Sequence, residues 1–386
     1  MKLGVVLSGG GSKGAYEIGV WKALRKLNVK YDIVTGTSVG ALNAALMTQK
    51  TFHSALNLWQ NLEFEDVLDE TIDTSKKGNV LKAYAKGIRN GGMKINKLEN
   101  TVEEALNLKK IYRSNIDMGI VTVKASNLKP ILLTKKEIDP LDMKDYLIAS
   151  ASCYPAFKKK NIDDIEYIDG GVFDNLPINL AISMGAEEII AVDLKEVGIK
   201  RRVKNQNIKI TTISPRNNIG SFLVFDSKEA NRAIQLGFND TMKIFGKLDG
   251  NLYTFQKGQI TNFYLQLKEK WKQYENKKIT EKSLLKTIEK LGTIFEMNEE
   301  PIYTMYHFNK ILKKRFLEFK DNLEIEKILT EKNLKEFISS KAIVQYIYYL
   351  LDKDQSKTKN LIKIFSQEYE CAIYLKIILG ENLWIN

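Results

Sequence analysis

Cysteine, histidine and proline are scarce in this chain, and long apolar runs are missing. Its 386 residues include two cysteines, Cys153 and Cys371, together with two histidines and six prolines. Two cysteines cannot form a disulfide framework, which favours a reducing compartment. Because no stretch of about 18 uninterrupted apolar residues occurs, we expect no membrane-spanning segment. The apolar run at residues 3–7 is too short for a secretory signal, so we expect a cytoplasmic protein.

The remaining composition indicates a globular protein. Hydrophobic residues make up 44% of the chain. This length is typical of two or three domains, or of one α/β domain with an appendage. Residues 1–200 hold 27 Lys and Arg against 25 Asp and Glu, of 59 and 47 in the whole chain, so the remainder carries a net charge of +10. A basic half is typical of proteins that contact anionic lipid or nucleic acid, but also of a chain that is lysine-rich throughout.

The first motif is a glycine loop between a predicted strand and a predicted helix. Residues 3–8 form an apolar run suited to a buried parallel strand. The loop Gly9-Gly10-Gly11-Ser12-Lys13-Gly14 follows, and an amphipathic helix comes after it.

Two uses compete for this loop. It matches G-x-G-x-x-G, and Asp32 stands about where a dinucleotide-binding acidic residue is expected. The Gly-Lys-Ser/Thr ending of a P-loop is absent. Alternatively, the consecutive N–H groups of Gly9, Gly10 and Gly11 form an oxyanion hole that faces a developing alkoxide. The motif on the next strand favours the oxyanion hole, and nucleotide binding through the loop stays the alternative.

The second motif is a serine on a tight turn. Residues 34–42 read as a strand end, a turn and a helix start, with Ser38 at the turn between Gly36 and Gly40. A serine nucleophile needs such a strained strand-to-helix turn, and small neighbours let a substrate approach. The N-terminus of the following helix favours the negative charge that develops during acyl transfer.

The third motif supplies a carboxylate. Residues 165–168 read as a short strand that ends in Asp169-Gly170-Gly171, and two glycines let this strand end approach another loop closely. Asp169 is the candidate base. We expect Asp174 to be the turn or capping residue before a helix at 176–184.

The shortage of histidine bears on the mechanism. A Ser-His-Asp triad needs a histidine, and the chain has only His53 and His307. We expect His53 to start the next helix, away from the site, and His307 to pack among aromatic residues. A direct carboxylate base for Ser38 is therefore the simpler hypothesis, and it requires no metal.

Alternation of strands and helices predicts an α/β fold with a mostly parallel sheet and helices on both faces up to about residue 213. The lysine run at residues 158–160 is predicted to be solvated surface, or to meet lipid headgroups. Past residue 220 helical periodicity dominates, so we expect a catalytic domain at 1–250 and an all-helical domain of unknown role at 251–386. The predicted strands are 3–8, 31–35, 117–124, 129–134, 165–168, 188–194 and 208–213, and the clearest predicted helices are 39–48, 51–62, 142–150, 176–184 and 225–246.

Together, the three motifs resemble the patatin-like phospholipase family. The glycine loop corresponds to its oxyanion motif, the Ser38 turn to its nucleophile elbow, and Asp169-Gly170-Gly171 to its base motif. Ala151-Ser152 with Pro155 matches a fourth, less specific pattern. The resemblance covers roughly residues 1–215.

The resemblance implies a three-layer α/β/α sandwich and hydrolysis of lipid acyl esters by a Ser-Asp dyad. It implies catalytic roles for Ser38 and Asp169, and motif roles for Lys13, Gly14, Gly36, Gly40, Gly170 and Gly171. We therefore expect a phospholipid or lysophospholipid substrate, transient contact with a membrane surface, no nucleic acid and no cofactor. A sensor or partner-binding role for the helical region is a further alternative.

Overall fold

The computed structural model describes residues 1–70, 77–275, 278–320, 339–353 and 364–380. The chain divides into two compact units, Met1–Ile244 and Phe245–Asn386.

An eight-stranded sheet forms the centre of the first unit. Five of its strands, β1, β2, β3, β7 and β8, run parallel, whereas β4 and β6 are antiparallel to β3. Hydrogen-bonded pairs of strands follow the sequence β5-β6-β3-β2-β1-β7-β8, and β4 also pairs with β3. This result confirms the mostly parallel sheet predicted from the sequence. The strands are β1 (Leu3–Leu7), β2 (Ile33–Thr37), β3 (Asp117–Lys124), β4 (Pro130–Thr134), β5 (Lys160–Ile162), β6 (Ile165–Asp169), β7 (Glu188–Val192) and β8 (Lys209–Ile213).

Helices flank this sheet, and their packing follows from the apolar faces that they bury. On one side α8 covers β1, β2 and β7 through a core that includes Val6, Ile33 and Ala181. Elsewhere α1 and α9 approach each other closely, because Gly19 and Gly237 lack side chains at their contact. A Cβ on Gly19 or Gly237 would meet the backbone of the other helix at 2.0 or 2.1 Å. The helices are α1 (Gly14–Lys26), α2 (Val39–Thr48), α3 (Phe52–Asn61), α4 (Lys77–Arg89), α5 (Asn96–Ala105), α6 (Leu108–Arg113), α7 (Met143–Ala151), α8 (Ile178–Ser183) and α9 (Ser227–Ile244).

Strands β2 and β6 share one edge of β3. Residues 117–121 of β3 pair with β2, residues 119–123 pair with β4, and residues 122–124 pair with β6. Residues 119–121 of β3 thus pair with both β4 and β2, and residues 122–123 pair with both β4 and β6. A strand has only two edges. Both β2 and β6 therefore lie on the edge opposite β4.

The carboxyl ends of these two strands meet. β2 runs parallel to β3 and β6 runs antiparallel to it, so the two strands point toward each other. Thr37, the last residue of β2, pairs with Val121, whereas Asp169, the last residue of β6, pairs with Thr122. The residue that follows β2 and the residue that ends β6 are thus brought together by adjacent positions of β3.

Asp32 lies at the wrong end of the sheet for the nucleotide-binding alternative. It precedes β2, and its Oδ2 accepts a hydrogen bond of 3.0 Å from the N–H of Leu3 at the start of β1. The glycine loop follows the other end of β1, roughly 16 Å away along a five-residue strand. Ligands of open α/β sheets bind outside the carboxyl ends of the strands. The structure therefore overturns Asp32 as a ligand of a nucleotide held in this loop.

The lysine run at residues 158–160 also differs in part from its prediction. Lys158 is exposed, but Lys160 begins β5 and is only partly exposed. Its ammonium forms ion pairs with Glu99 at 2.9 Å and Asp145 at 3.0 Å. This lysine is therefore a structural link rather than solvated surface.

The second unit is mainly helical. α14 is apolar on most sides and is largely buried, as expected for a helix at the centre of a bundle. Thr280 caps α11, because its side chain accepts from the N–H of Ser283. The helices are α10 (Gln259–Trp271), α11 (Glu281–Ile294), α12 (Met305–Lys320), α13 (Ser340–Lys353) and α14 (Ser366–Gly380).

A small sheet that the sequence did not predict completes this unit. It consists of β9 (Leu248–Asp249), β10 (Thr254–Gln256) and β11 (Ile302–Tyr303). Two or three residues are too few to reveal a strand period, so such strands leave little signal in a sequence. None of the helices in the described ranges is sufficiently long and apolar to cross a membrane.

Candidate active site

Ser38 occupies a strained turn at the carboxyl end of β2. Its φ is 57° and its ψ is −131°, and α2 begins at the next residue. Residues other than glycine rarely adopt this backbone conformation. It projects the Ser38 side chain away from the connection between β2 and α2. Gly36 and Gly40 make the turn possible, because a Cβ on Gly36 would lie 2.1 Å from the carbonyl oxygen of Gly40.

A second serine holds this turn from below. The N–H of Ser38 donates to the Oγ of Ser150 at 2.9 Å, and that hydroxyl donates to the carbonyl oxygen of Val121 at 2.7 Å. Ser150 is fully buried in α7. Ser150 therefore connects Ser38 to β3 at the position where the hydrogen-bond ladder between β2 and β3 ends.

Asp169 is buried beside Ser38. The N–H of Gly171 donates to its Oδ1 at 2.7 Å, and the Ser38 hydroxyl lies near the same carboxyl group. Burial raises the pKa of Asp169 from 3.8 to about 6, and the neighbouring Ser38 hydroxyl and Gly171 N–H oppose the rise. A carboxylate with this pKa is ionised at neutral pH and is a stronger base than an exposed aspartate.

Asp174 lies in the turn that follows. Its Oδ1 accepts from the N–H groups of Leu176 and Arg201, both at 3.3 Å, and α8 begins four residues after it. Its carbonyl oxygen accepts from the Thr37 hydroxyl at 2.7 Å. These contacts agree with the turn role expected from the sequence.

The glycine loop presents two N–H groups. The N–H of Gly9 donates to the carbonyl oxygen of Asn175 at 3.1 Å. By contrast, no acceptor within the described residues takes the N–H of Gly10 or Gly11. Gly11 has a φ of 55°, and a Cβ there would lie 2.0 Å from the carbonyl oxygen of Phe222. The loop is therefore shaped by contacts that only glycine permits.

Lys13 secures the loop from its far side. Its ammonium pairs with the carboxylate of Glu196, and both side chains are mostly buried. Glu196 lies in the segment after β7, so the pair links the glycine loop to that segment. Gly14 opens α1 where a Cβ would meet Val39 at 2.5 Å and Trp59 at 2.8 Å.

Ser38, Asp169 and the glycines at 9–11 border one cavity of about 640 Å³. Most of its wall is apolar and comes from α2, α3, α5 and the segments after α7, β7 and β8. Residues that represent this wall are Leu42, Leu46, Trp59, Val102, Phe157 and Phe222. A cavity of this size and character suits an apolar ligand with one reactive polar group.

Neither histidine is among the residues that line the cavity. His53 lies on α3 beside Phe52, as expected, and is exposed. His307 lies on α12 and stacks on Tyr303 with ring centroids 5.9 Å apart, but it is exposed rather than packed inside. A triad built on a histidine therefore has no support in this cavity.

Sequence reasoning missed three residues of the site. Ser150, Asn175 and Glu196 each hold a predicted motif in place, as described above. Ser150 lies two residues before the recognised Ser152, and Asn175 lies four residues after Gly171. Nothing in the local pattern distinguishes them, because their partners lie more than 100 residues away along the chain.

Comparison with known proteins agrees with this geometry. Residues 5–182 match the model of the patatin-like phospholipase family. Rat patatin-like phospholipase domain-containing protein 7 is 25% identical over 195 residues, covering 50% of this chain and 13% of the rat protein. The cUMP-AMP-activated phospholipase of Escherichia coli is 27% identical over 201 residues, covering 46% of this chain and 57% of that protein. Lysophospholipase NTE1 of Mycosarcoma maydis is 25% identical over 211 residues, covering 51% and 10%.

The chain thus spans less than two thirds of each of these relatives. The matched segment contains the glycine loop, the Ser38 turn and Asp169-Gly170-Gly171. Residues 5–182 of this chain belong to the patatin-like phospholipase family.

Proposed function

We propose that the first unit is a serine acyl hydrolase that cleaves fatty-acyl esters of membrane lipids. The observation that carries this proposal is the Ser38–Asp169 pair at the wall of a 640 Å³ apolar cavity. Ser38 is the nucleophile and Asp169 is the base. The apolar wall holds the acyl chain, because burial of its methylene groups is favourable.

The reaction proceeds through an acyl-enzyme. As Asp169 takes the hydroxyl proton, the Oγ of Ser38 attacks the ester carbonyl carbon. The N–H groups of Gly10 and Gly11 stabilise the oxyanion, while Gly9, whose own N–H is occupied, keeps the approach to Ser38 clear. The ester C–O bond then breaks, and Asp169 returns its proton to the leaving alkoxide.

Water completes the cycle. Asp169 removes a proton from the water molecule that attacks the acyl-enzyme, and the fatty acid leaves as Ser38 regains its proton. Every proton is thus carried by one carboxyl group.

The proposed substrates are phospholipids or lysophospholipids. The matching relatives bear the names phospholipase and lysophospholipase, and the apolar wall fits an acyl chain. The location at the cytoplasmic face of a membrane stays a prediction, as does a sensor or partner-binding role for the second unit.

Hydrolysis of a soluble short-chain ester and of a lysophospholipid tests the proposal. Ser38→Ala should lower kcat at least a thousandfold, because it removes the nucleophile. Ser54→Ala, which changes an exposed serine of α3, is the matched control and should keep full activity.

A fluorophosphonate should label Ser38 in the wild type, and mass spectrometry of the peptide identifies the site. Turnover by Ser38→Ala close to that of the wild type would exclude this serine as the nucleophile.

A further inference from the structure

We propose that the mouth of the cavity docks on the surface of an anionic phospholipid bilayer, through an apolar rim flanked by cations. This inference rests on the proposed lipid acyl hydrolase activity, and it assigns the surface that meets the lipid.

The rim consists of four exposed apolar side chains that also line the cavity. Val197 is 97% exposed, Ile199 50%, Tyr154 42% and Val172 40%. They come from three segments of the chain, which follow β7, α7 and β6 respectively. A cluster of apolar side chains around a cavity opening is unusual for a surface that faces only water, and it is typical of an interaction site.

Main-chain hydrogen bonds fix the rim. The N–H of Ile199 donates to the carbonyl oxygen of Gly171 at 3.0 Å, and the N–H of Asn175 donates to the carbonyl oxygen of Ile199 at 2.6 Å. Lys200 pairs with Asp193 at 2.7 Å, which closes the segment that carries Val197. These contacts therefore hold Val197 and Ile199 of the rim in their exposed positions before any lipid binds.

Cations follow the rim segments directly. Lys159 lies over the Tyr154 ring, 5.3 Å from its centroid, and Arg201 lies over the Phe173 ring at 4.1 Å. Lys158 and Arg202 are their exposed neighbours, and among the described residues no carboxylate forms an ion pair with either.

Acidic groups near the rim face cations. Glu166 pairs with Lys159, Asp193 with Lys200, and Glu196 with Lys13, while Asp174 lies beside Arg201. Lys158 and Arg202 thus leave the surroundings of the mouth with an excess of positive charge.

This combination fits a lipid surface better than a second copy of the chain. Apolar side chains at the centre favour entry into the headgroup boundary, and the surrounding Lys and Arg favour anionic headgroups. A second copy docked mouth to mouth would bring like charges together. Docking on lipid also brings the opening that leads to Ser38 against its substrate.

Binding of the full-length Ser38→Ala protein to vesicles tests the inference, since this variant leaves the lipid intact. Cosedimentation is measured with phosphatidylcholine vesicles and with vesicles that also contain phosphatidylserine. We expect binding to the anionic vesicles that weakens at least tenfold in high salt. Val197→Asp should weaken binding at least tenfold, whereas Leu141→Asp, at a position 86% exposed and outside the cavity wall, should not.

A charge-matched pair of double variants separates the patch from net charge. Lys158→Glu with Arg202→Glu should abolish the preference for anionic vesicles. Lys30→Glu with Lys209→Glu changes the net charge equally at the amino ends of β2 and β8, and it should bind as the parent does. Equal losses in both double variants, or in Val197→Asp and Leu141→Asp, would overturn the proposal.

Three further outcomes also decide between the proposals. If the wild type hydrolyses a soluble ester but the Ser38→Ala protein binds no vesicle, this inference fails while the proposed function stands. If sedimentation shows a dimer that Val197→Asp dissociates and no binding to vesicles, the rim is an interface between copies. Binding without any ester hydrolysis by the wild type would overturn the proposed function and support the surface.

Discussion

The main-chain N–H of Ser38 donates to the side-chain oxygen of Ser150 at 2.9 Å. The N–H of Ser38 thus bonds to a side chain rather than to β3, and the regular ladder ends at the pair Thr37–Val121. The Ser150 hydroxyl replaces the missing ladder contact by donating to Val121 and accepting from Ser38. The strained turn is thereby tied to the strand on which Asp169 is also registered.

Ser150→Ala should lower kcat roughly tenfold to a hundredfold and leave KM nearly unchanged. The substitution leaves a buried N–H and a buried carbonyl without partners, which costs about 1–3 kcal/mol and loosens the Ser38 turn. Ser152→Ala is the matched control, since the Ser152 hydroxyl donates only to Ile148 within α7. Steady-state kinetics on a soluble ester measure both, and equal kcat in the two variants would contradict the positioning role.

The strands around the site were predictable because each contains a short apolar run, and β1, β2 and β6 each end in a motif. β1, β2, β3 and β6 lie within one or two residues of their predicted bounds. The meeting of Ser38 and Asp169 was inferred only from motif identity. Its physical cause, two strands end to end on one edge of β3, depends on a pairing between distant segments that no local pattern encodes.

The remaining differences have the same origin. Gly9 looks like its neighbours in the sequence, but its N–H is taken by Asn175, 166 residues away along the chain. Lys160 looks like a solvated lysine, but two carboxylates from α5 and α7 bind its ammonium. Tertiary contacts decide both roles, and residue type alone does not.

Ester hydrolysis should depend on the ionisation of Asp169. Burial raises the pKa of this carboxyl to about 6, and only its ionised form accepts the Ser38 proton. We expect kcat/KM to be level at neutral pH and to fall about tenfold per pH unit well below pH 6. Initial rates between pH 4.5 and 8 measure the profile. A level profile down to pH 4.5 would contradict Asp169 as the base.

Asp169→Asn should abolish turnover and stabilise the fold at neutral pH. The pKa of Asp169 is 3.8 in the unfolded chain and about 6 in the folded protein, so its contribution to stability is present below pH 3.8 and is lost as pH rises through 6. That difference corresponds to about 3 kcal/mol. In urea, the free energy of unfolding of Asp169→Asn should therefore exceed that of the wild type at pH 8, and the difference should be smaller at pH 4. A larger advantage at pH 4 would refute the assignment.

Glu17 should behave as a neutral side chain. It is buried on α1, its Oε2 accepts from the Asn43 amide at 2.8 Å, and Asn43 accepts from the Trp59 indole at 2.9 Å. Burial raises the pKa of Glu17 well above 4.5, so its stabilising contribution is complete below pH 4.5 and declines as pH rises.

The stability of Glu17→Gln relative to the wild type should consequently increase from pH 5 to pH 8. Glu17→Ala should lose about 2 kcal/mol or more at both values, because it opens a cavity and removes one of the two acceptors of the Asn43 amide. Urea unfolding of the three proteins at both pH values makes the comparison. A Gln variant that loses ground as pH rises would show that the carboxyl is ionised and needed in that form.

Gly9→Ala should remove activity. An added Cβ would lie 2.3 Å from the Oδ1 of Asn175 and 3.0 Å from the Cβ of Ser38, so the new methyl group displaces the nucleophile or narrows the approach to it. Gly4→Ala, in β1 just before the glycine loop, is the matched control. The added Cβ of Gly4→Ala would meet only core side chains, at 3.0 Å from Ala186 and Ile189. This variant should therefore have a lower melting temperature but a kcat close to that of the wild type. Kinetics and thermal unfolding of both variants separate the two effects. A Gly9→Ala protein with kcat within threefold of the wild type would show that the glycine loop does not border the reacting atoms.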